Sequence, residues 1–145
     1  MEDVLTTYSL GSCIGVSMYD RVRQVAGLLH FQLPTSANDP KRASEKPLMY
    51  ADTGMEVLLQ MMVDLGAEVR RLRVGLCGGA RMLNDSNLFD IGRKNHASIR
   101  KILWKKGMFI AGEHVGGELP RTMQINVADG AVTVKCDREL ISFQP

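Results

Sequence analysis

Two side chains near the start of the chain are of the types that acyl chemistry requires: Cys13, in "GSCIGVSMYD", and His30, in "GLLHFQLP". A thiol reacts as its thiolate, and an adjacent imidazole is the usual group that removes its proton. The segments carrying them are rich in Val, Ile and Tyr and are joined by the polar "DRVRQ", the pattern of two strands and a short connection. If the turn is centred between Arg21 and Val22, Cys13 lies directly opposite His30, and facing residues of an antiparallel pair hold their β-carbons about 4.5–5.5 Å apart. A register change of one residue turns one of the two side chains to the other face. Pairing alone leaves a second reading open, because free cysteines are often buried and strand histidines are commonly satisfied core residues. The local sequence favours chemistry: Gly11 and Ser12 allow a tight turn before Cys13 and present amide N–H groups where an oxyanion would form.

The elements that must position these groups follow from the same kind of reading. Strands are expected near residues 5–9, 12–19 and 25–33, forming a meander. The stretch from Pro34 to Pro47 is polar and proline-rich and reads as an exposed loop, close enough to His30 to border a substrate groove. Asp52 or Thr53 can cap a helix whose apolar positions, Met55, Leu58, Leu59, Met62 and Val63, fall at helical spacing and which closes at Gly66. "RLRVGLCGGA" is a strand running into a Gly-Gly turn, and a second helix runs from about Gly92 to Lys106, burying Ile99, Ile102 and Leu103. Three strands follow, the last two joined by a hairpin at Asp129-Gly130. Strands, helix, strand, helix, strands is the order of a mixed α+β sandwich, not of a doubly wound sheet.

With 145 residues and 45% hydrophobic content, the chain is expected to fold as one domain, residues 1–145. Its net charge of +2 is too mild for a nucleic-acid footprint. No apolar run approaches the roughly 20 residues of a membrane span, and "MEDVLTTYSLG" lacks the basic start of a signal peptide. A cytoplasmic protein without membrane insertion is the expectation, with Cys13, Cys77 and Cys136 as reduced thiols.

Other residues carry less chemistry. Cys77 and Cys136 end apolar strands and read as core, whereas His96 and His114 read as surface or loop residues. Neither C-x-x-C nor H-x-x-x-H spacing occurs, so no metal site is expected. "GLCGGARM" lacks the G-K-[ST] ending of a phosphate loop and reads as a turn that needs glycine. The basic face formed by Arg93, Lys94, Arg100, Lys101, Lys105 and Lys106 is first a solvated helix surface and can also steer an acidic partner.

The ordered set "GSCIGVSMYD", "GLLHFQLP", "YAD", "GGARM", "IGRKN" and a "GG" followed by Arg121 resembles the CheD family of chemoreceptor glutamine deamidases along nearly the whole chain. The resemblance implies a layered α/β/β sandwich similar to the catalytic domain of cytotoxic necrotizing factor. It also implies a protein-glutamine glutaminase with Cys13 as nucleophile, His30 as base and Thr7 completing the site, needing no cofactor. Gly78 and Gly79 would then shape the site beside Gly11 and Ser12. The substrates implied are glutamines on the cytoplasmic helices of methyl-accepting chemoreceptors. A second role implied by the family is binding and regulating a CheC-type phosphatase, which gives the alternative of a binding module with weak or no catalysis. At one position the pattern departs: "YSL" stands before "GSC" where "LGL" is usual.

Overall fold

In a computed structural model, which describes residues 3–82 and 90–144, the chain is mixed α+β, with two four-stranded sheets and three α-helices. The first sheet has the strand order β1 (Val4–Leu10), β6 (Arg121–Asn126), β7 (Val132–Cys136), β8 (Glu139–Phe143), all antiparallel. The second has the order β3 (Val25–Phe31), β2 (Ile14–Asp20), β4 (Arg73–Gly78), β5 (Ile110–Val115). Its β4 and β5 are parallel, joined by a crossover that contains helix α3 (Ile91–Lys105).

Strand β2 explains the layering. All seven of its residues are buried, so both of its faces are covered. Ile14, Val16 and Met18 face a core completed by Met55 and Met62 of helix α2 (Ala51–Asp64) and by Ile99 and Leu103 of α3. Tyr19, on the opposite face, enters a second core between the sheets with Leu10, Cys77, Met123, Ile125, Val132 and Val134. Each such side chain removed from water contributes about 1.5–3 kcal/mol. Between the sheets the Tyr19 hydroxyl donates to the carbonyl of Val127 at 2.8 Å.

Several expectations shift in detail. Helix α2 is capped by Tyr50, not by Asp52 or Thr53: the Asp52 carboxylate instead accepts from the backbone and hydroxyl of Ser36, and Thr53 Oγ1 donates to the carbonyl of Pro47. The polar stretch after β3 is not all loop. It holds a short helix, α1 (Pro40–Glu45), with Asp39 as its side-chain cap and Pro40 at its first position, followed by a 3-10 turn over Pro47–Met49. Strand β8 was not expected. Its hairpin uses Asp137 at a φ of 55°, a conformation in which a glycine would have been the usual signal.

Candidate active site

The connection between β2 and β3 determines how Cys13 meets His30, and it is longer than expected. Residues Arg21–Gln24 form the turn; Gln24 adopts a φ of 52°, and the Asp20 carboxylate accepts from the backbone N–H of Val22 and of Arg23. A four-residue turn moves the register by two residues relative to a tight turn. His30 therefore lies opposite Gly15, and the ladder ends at Ile14↔Phe31. The expected direct pairing of Cys13 with His30 is thus corrected to an offset of two. Because strand faces repeat every two residues, the shift preserves the shared face. Cys13 packs against the inter-sheet core, as do Ala26 and Leu28, which share the face of β3 that carries His30.

Gly15 gives the imidazole a neighbour without a side chain. A β-carbon there would stand 2.9 Å from Met123 Sδ and 3.0 Å from Leu10 Cδ1, so this part of the gap has no room for one. Across the gap, on the other sheet, Thr7 Oγ1 lies 2.8 Å from His30 Nδ1. Thr7 sits in β1 opposite Met123 of β6, just before the irregular stretch that separates it from Leu10. The ring of His30 is thereby oriented by a hydroxyl, with Nε2 left for a second partner. Among the described residues, no hydrogen bond joins His30 to Cys13.

The two groups are neutral near pH 7. Burial pushes the Cys13 thiol above its usual value, with its own backbone N–H pulling slightly back, and burial pushes the His30 imidazole below its usual value. Both shifts favour the uncharged forms, a thiol and an imidazole, over an ion pair.

The "GSC" turn is held by the Gly78–Ala80 turn. Gly79 N donates to the carbonyl of Cys13 at 2.9 Å, and Ala80 N to that of Gly11 at 2.9 Å. Gly78, at a φ of 109°, has no space for a β-carbon, which would overlap the carbonyl oxygen of Cys13. Gly78 and Gly79 both contact the carbonyl of Cys13. The amide of Gly11 donates to the carbonyl of Ser9, so Gly11 provides the turn and is not free to hold an oxyanion.

Two residues of this arrangement were not singled out by their sequence. Asn95 of α3, fully buried, donates to the carbonyls of Ser12 and of Gln32, both at 2.9 Å. Arg121 of β6, also buried, donates to the carbonyls of Gly78 and Gly116 and to His114 Nδ1. The signal was present in "IGRKN" and in the arginine after the glycine pair, but burial of a polar side chain is invisible in one sequence. His114, expected in a loop, lies in β5, and His96 pairs with Glu113 at 3.0 Å. Cys77 is buried between the sheets and Cys136 is buried at the end of β7, and burial pushes the Cys77 thiol up to about 12. Among the described residues no cluster of ligands fits a metal ion, and no helix is long and apolar enough to cross a membrane.

A groove of about 530 Å³ opens beside His30, bordered by Gln32, Glu45, Lys46, Leu48 and Met49. The segment after β3 thus borders a groove beside His30, whose lining includes neither Cys13 nor Thr7. A larger groove of about 1060 Å³ lies at the other end of the same sheet, beside Arg21, Arg73 and Phe109, and includes none of Cys13, His30 and Thr7.

Comparison with known proteins identifies the family. A family profile described as CheD chemotactic sensory transduction matches residues 32–136. A protein of Solibacter usitatus named "Probable chemoreceptor glutamine deamidase CheD" is 47% identical over 129 residues, covering 89% of this chain and 76% of its own. "Probable chemoreceptor glutamine deamidase CheD 1" of Syntrophus aciditrophicus is 44% identical over 133 residues, covering 92% and 83%. A relative with the same deamidase name from Thermococcus kodakarensis is 41% identical over 135 residues, covering 91% and 82%. The chain belongs to the CheD family.

Proposed function

We propose that this chain is a protein-glutamine deamidase that converts glutamine side chains of chemoreceptors to glutamate through a thioester on Cys13. The observation that carries the reading is the 2.8 Å contact of Thr7 with His30, at the same end of the sheet and on the same face as Cys13. With His30 Nδ1–H donating to Thr7 Oγ1, Nε2 is the unprotonated nitrogen and accepts the thiol proton. The sulfur attacks the carboxamide carbon, and the amides of Ser12 and Cys13 receive the developing oxyanion. The imidazolium returns its proton to the departing nitrogen, which leaves as ammonia. Water then adds to the thioester, giving up one proton to the same imidazole, which passes it to the departing sulfur and so restores the thiol; the released acid loses its remaining proton to solvent and leaves as the carboxylate. No step needs a cofactor.

The groove beside His30 has the size of a side-chain-binding cleft, and its mixed lining suits an amphipathic receptor helix that presents one glutamine. We assign the whole of residues 1–145 to this one activity in the cytoplasm, and the two cores on either side of one sheet support the likeness to the cytotoxic necrotizing factor catalytic domain. Incubation with a purified receptor cytoplasmic fragment, followed by peptide mass spectrometry, should show Gln-to-Glu conversion that is absent with Cys13→Ala. A wild-type protein that converts no glutamine on several receptors, yet binds a CheC-type phosphatase, would replace this reading with that of a regulatory binding module.

A further inference from the structure

Where the β2–β3 ladder ends, something must hold the two strand ends that carry Cys13 and His30. The last paired residues are Ile14 and Phe31. One step beyond them on each strand are Cys13 and Gln32, and no ladder pairing joins this next rung. The two ends are joined instead by one side chain from a third element: the Asn95 carboxamide donates one hydrogen to Ser12 O and the other to Gln32 O, each at 2.9 Å. An –NH₂ group has two hydrogens, and both are used.

We infer that Asn95 is a positioning residue, setting the distance and angle at which the Cys13 thiol meets the His30 imidazole; this rests on the reading of those two as nucleophile and base. The helix is built to deliver it. Gly92, Asn95 and Ser98 recur every three residues and so share one face of α3. A β-carbon on Gly92 would overlap the carbonyl of Ala80, so only glycine lets the helix start this close to the Gly78–Ala80 turn. Ser98 Oγ donates to the carbonyl of Pro34 at 2.6 Å, fixing the chain as it leaves β3. Asn95 Oδ1 is buried and has no hydrogen-bond partner among the described residues. The carboxamide is thus kept for its two donors, at the cost of an unsatisfied acceptor.

The test replaces Asn95 with leucine, of similar shape and without donors, and measures deamidation of a receptor cytoplasmic fragment per folded protein across a pH series. Misplacing a nucleophile by an ångström lowers turnover about 100-fold, so Asn95→Leu should lose kcat on that scale with KM changed by less than about twofold. Its deficit should shrink as pH rises, because thiolate then forms without the imidazole, and it should follow the same steep profile as His30→Ala. The double variant should be little worse than His30→Ala alone. If leucine prevents folding, Asn95→Ser, which keeps one donor, should show an intermediate deficit of the same pH dependence. Wild-type kcat in folded Asn95→Leu, or a deficit that is constant with pH, would overturn the inference. Full activity of Cys13→Ala would instead overturn the underlying reading of the site.

Discussion

Thr7 Oγ1 and His30 Nδ1 meet at 2.8 Å from opposite sheets, so a hydroxyl on β1 orients the imidazole on β3. When Nδ1–H donates to Thr7 Oγ1, Nε2 is left able to accept a proton. Thr7→Ala should reduce kcat about 10- to 100-fold and stability by only about 1 kcal/mol, and Thr7→Ser should restore most of the lost rate. Steady-state kinetics beside a urea titration separates the two effects. An unchanged kcat in folded Thr7→Ala would show that the hydroxyl is only structural.

Thiol reactivity should follow exposure. Cys13 is half-buried, whereas Cys77 and Cys136 are buried. A limiting amount of iodoacetamide should label Cys13 first in the folded protein. Because burial raises the Cys13 thiol, its labelling rate should go on rising above the usual thiol range of about 8.5. Cys77, pushed up to about 12, should stay silent until the protein unfolds. Peptide mapping after alkylation at several pH values checks both statements.

Acid should weaken the fold in two stages. The imidazoles of His30 and His114 titrate below their usual value in the folded protein, each mainly because of burial. The unfolded chain therefore takes up protons first, and stability falls as pH drops below about 6.5. The Asp20 carboxylate is held far below its usual range by hydrogen bonds from Arg71, with the amides of Glu68 and Arg23 adding to the effect. Its contribution is complete above about 3.9 and is lost as pH falls further. Arg71→Leu would leave a buried carboxylate without its guanidinium, costing about 3–5 kcal/mol, and should remove most of the second stage from a pH series of urea titrations.

Gly78→Ala should damage the site more than the fold. The left-handed φ and the overlap with the Cys13 carbonyl together cost about 2–4 kcal/mol. The least costly relief is movement of the "GSC" turn, so activity per folded protein should fall as well. Calorimetry and deamidation assays on the same sample test this; loss of stability with full specific activity would contradict it.

Much of this was legible in the sequence because the informative patterns are local. Alternation and helical spacing found seven of the eight strands and both long helices within a few residues of their ends, and "GSC" marked a turn. What was not legible depends on the third dimension. The register failed because the centre of the "DRVRQ" turn is set by the Asp20 carboxylate, which is buried against Arg71 and caps the turn's amides. Helix α1 was missed although Asp39-Pro40 is a cap followed by a favoured first residue, since the segment has almost no apolar face. Asn95 looks like any polar helix residue until α3 is placed against the "GSC" turn.

The most direct measurement of the central claim is a parallel incubation of wild type, Cys13→Ala and His30→Ala with one purified receptor cytoplasmic fragment, with each glutamine followed by mass spectrometry. Wild type should convert specific glutamines to glutamate. Cys13→Ala, which removes the sulfur without adding bulk, should convert none while keeping its fold, and His30→Ala should retain a trace that grows more steeply with pH than wild type. Conversion by folded Cys13→Ala at the wild-type rate, in a preparation free of other deamidases, would contradict the assigned chemistry.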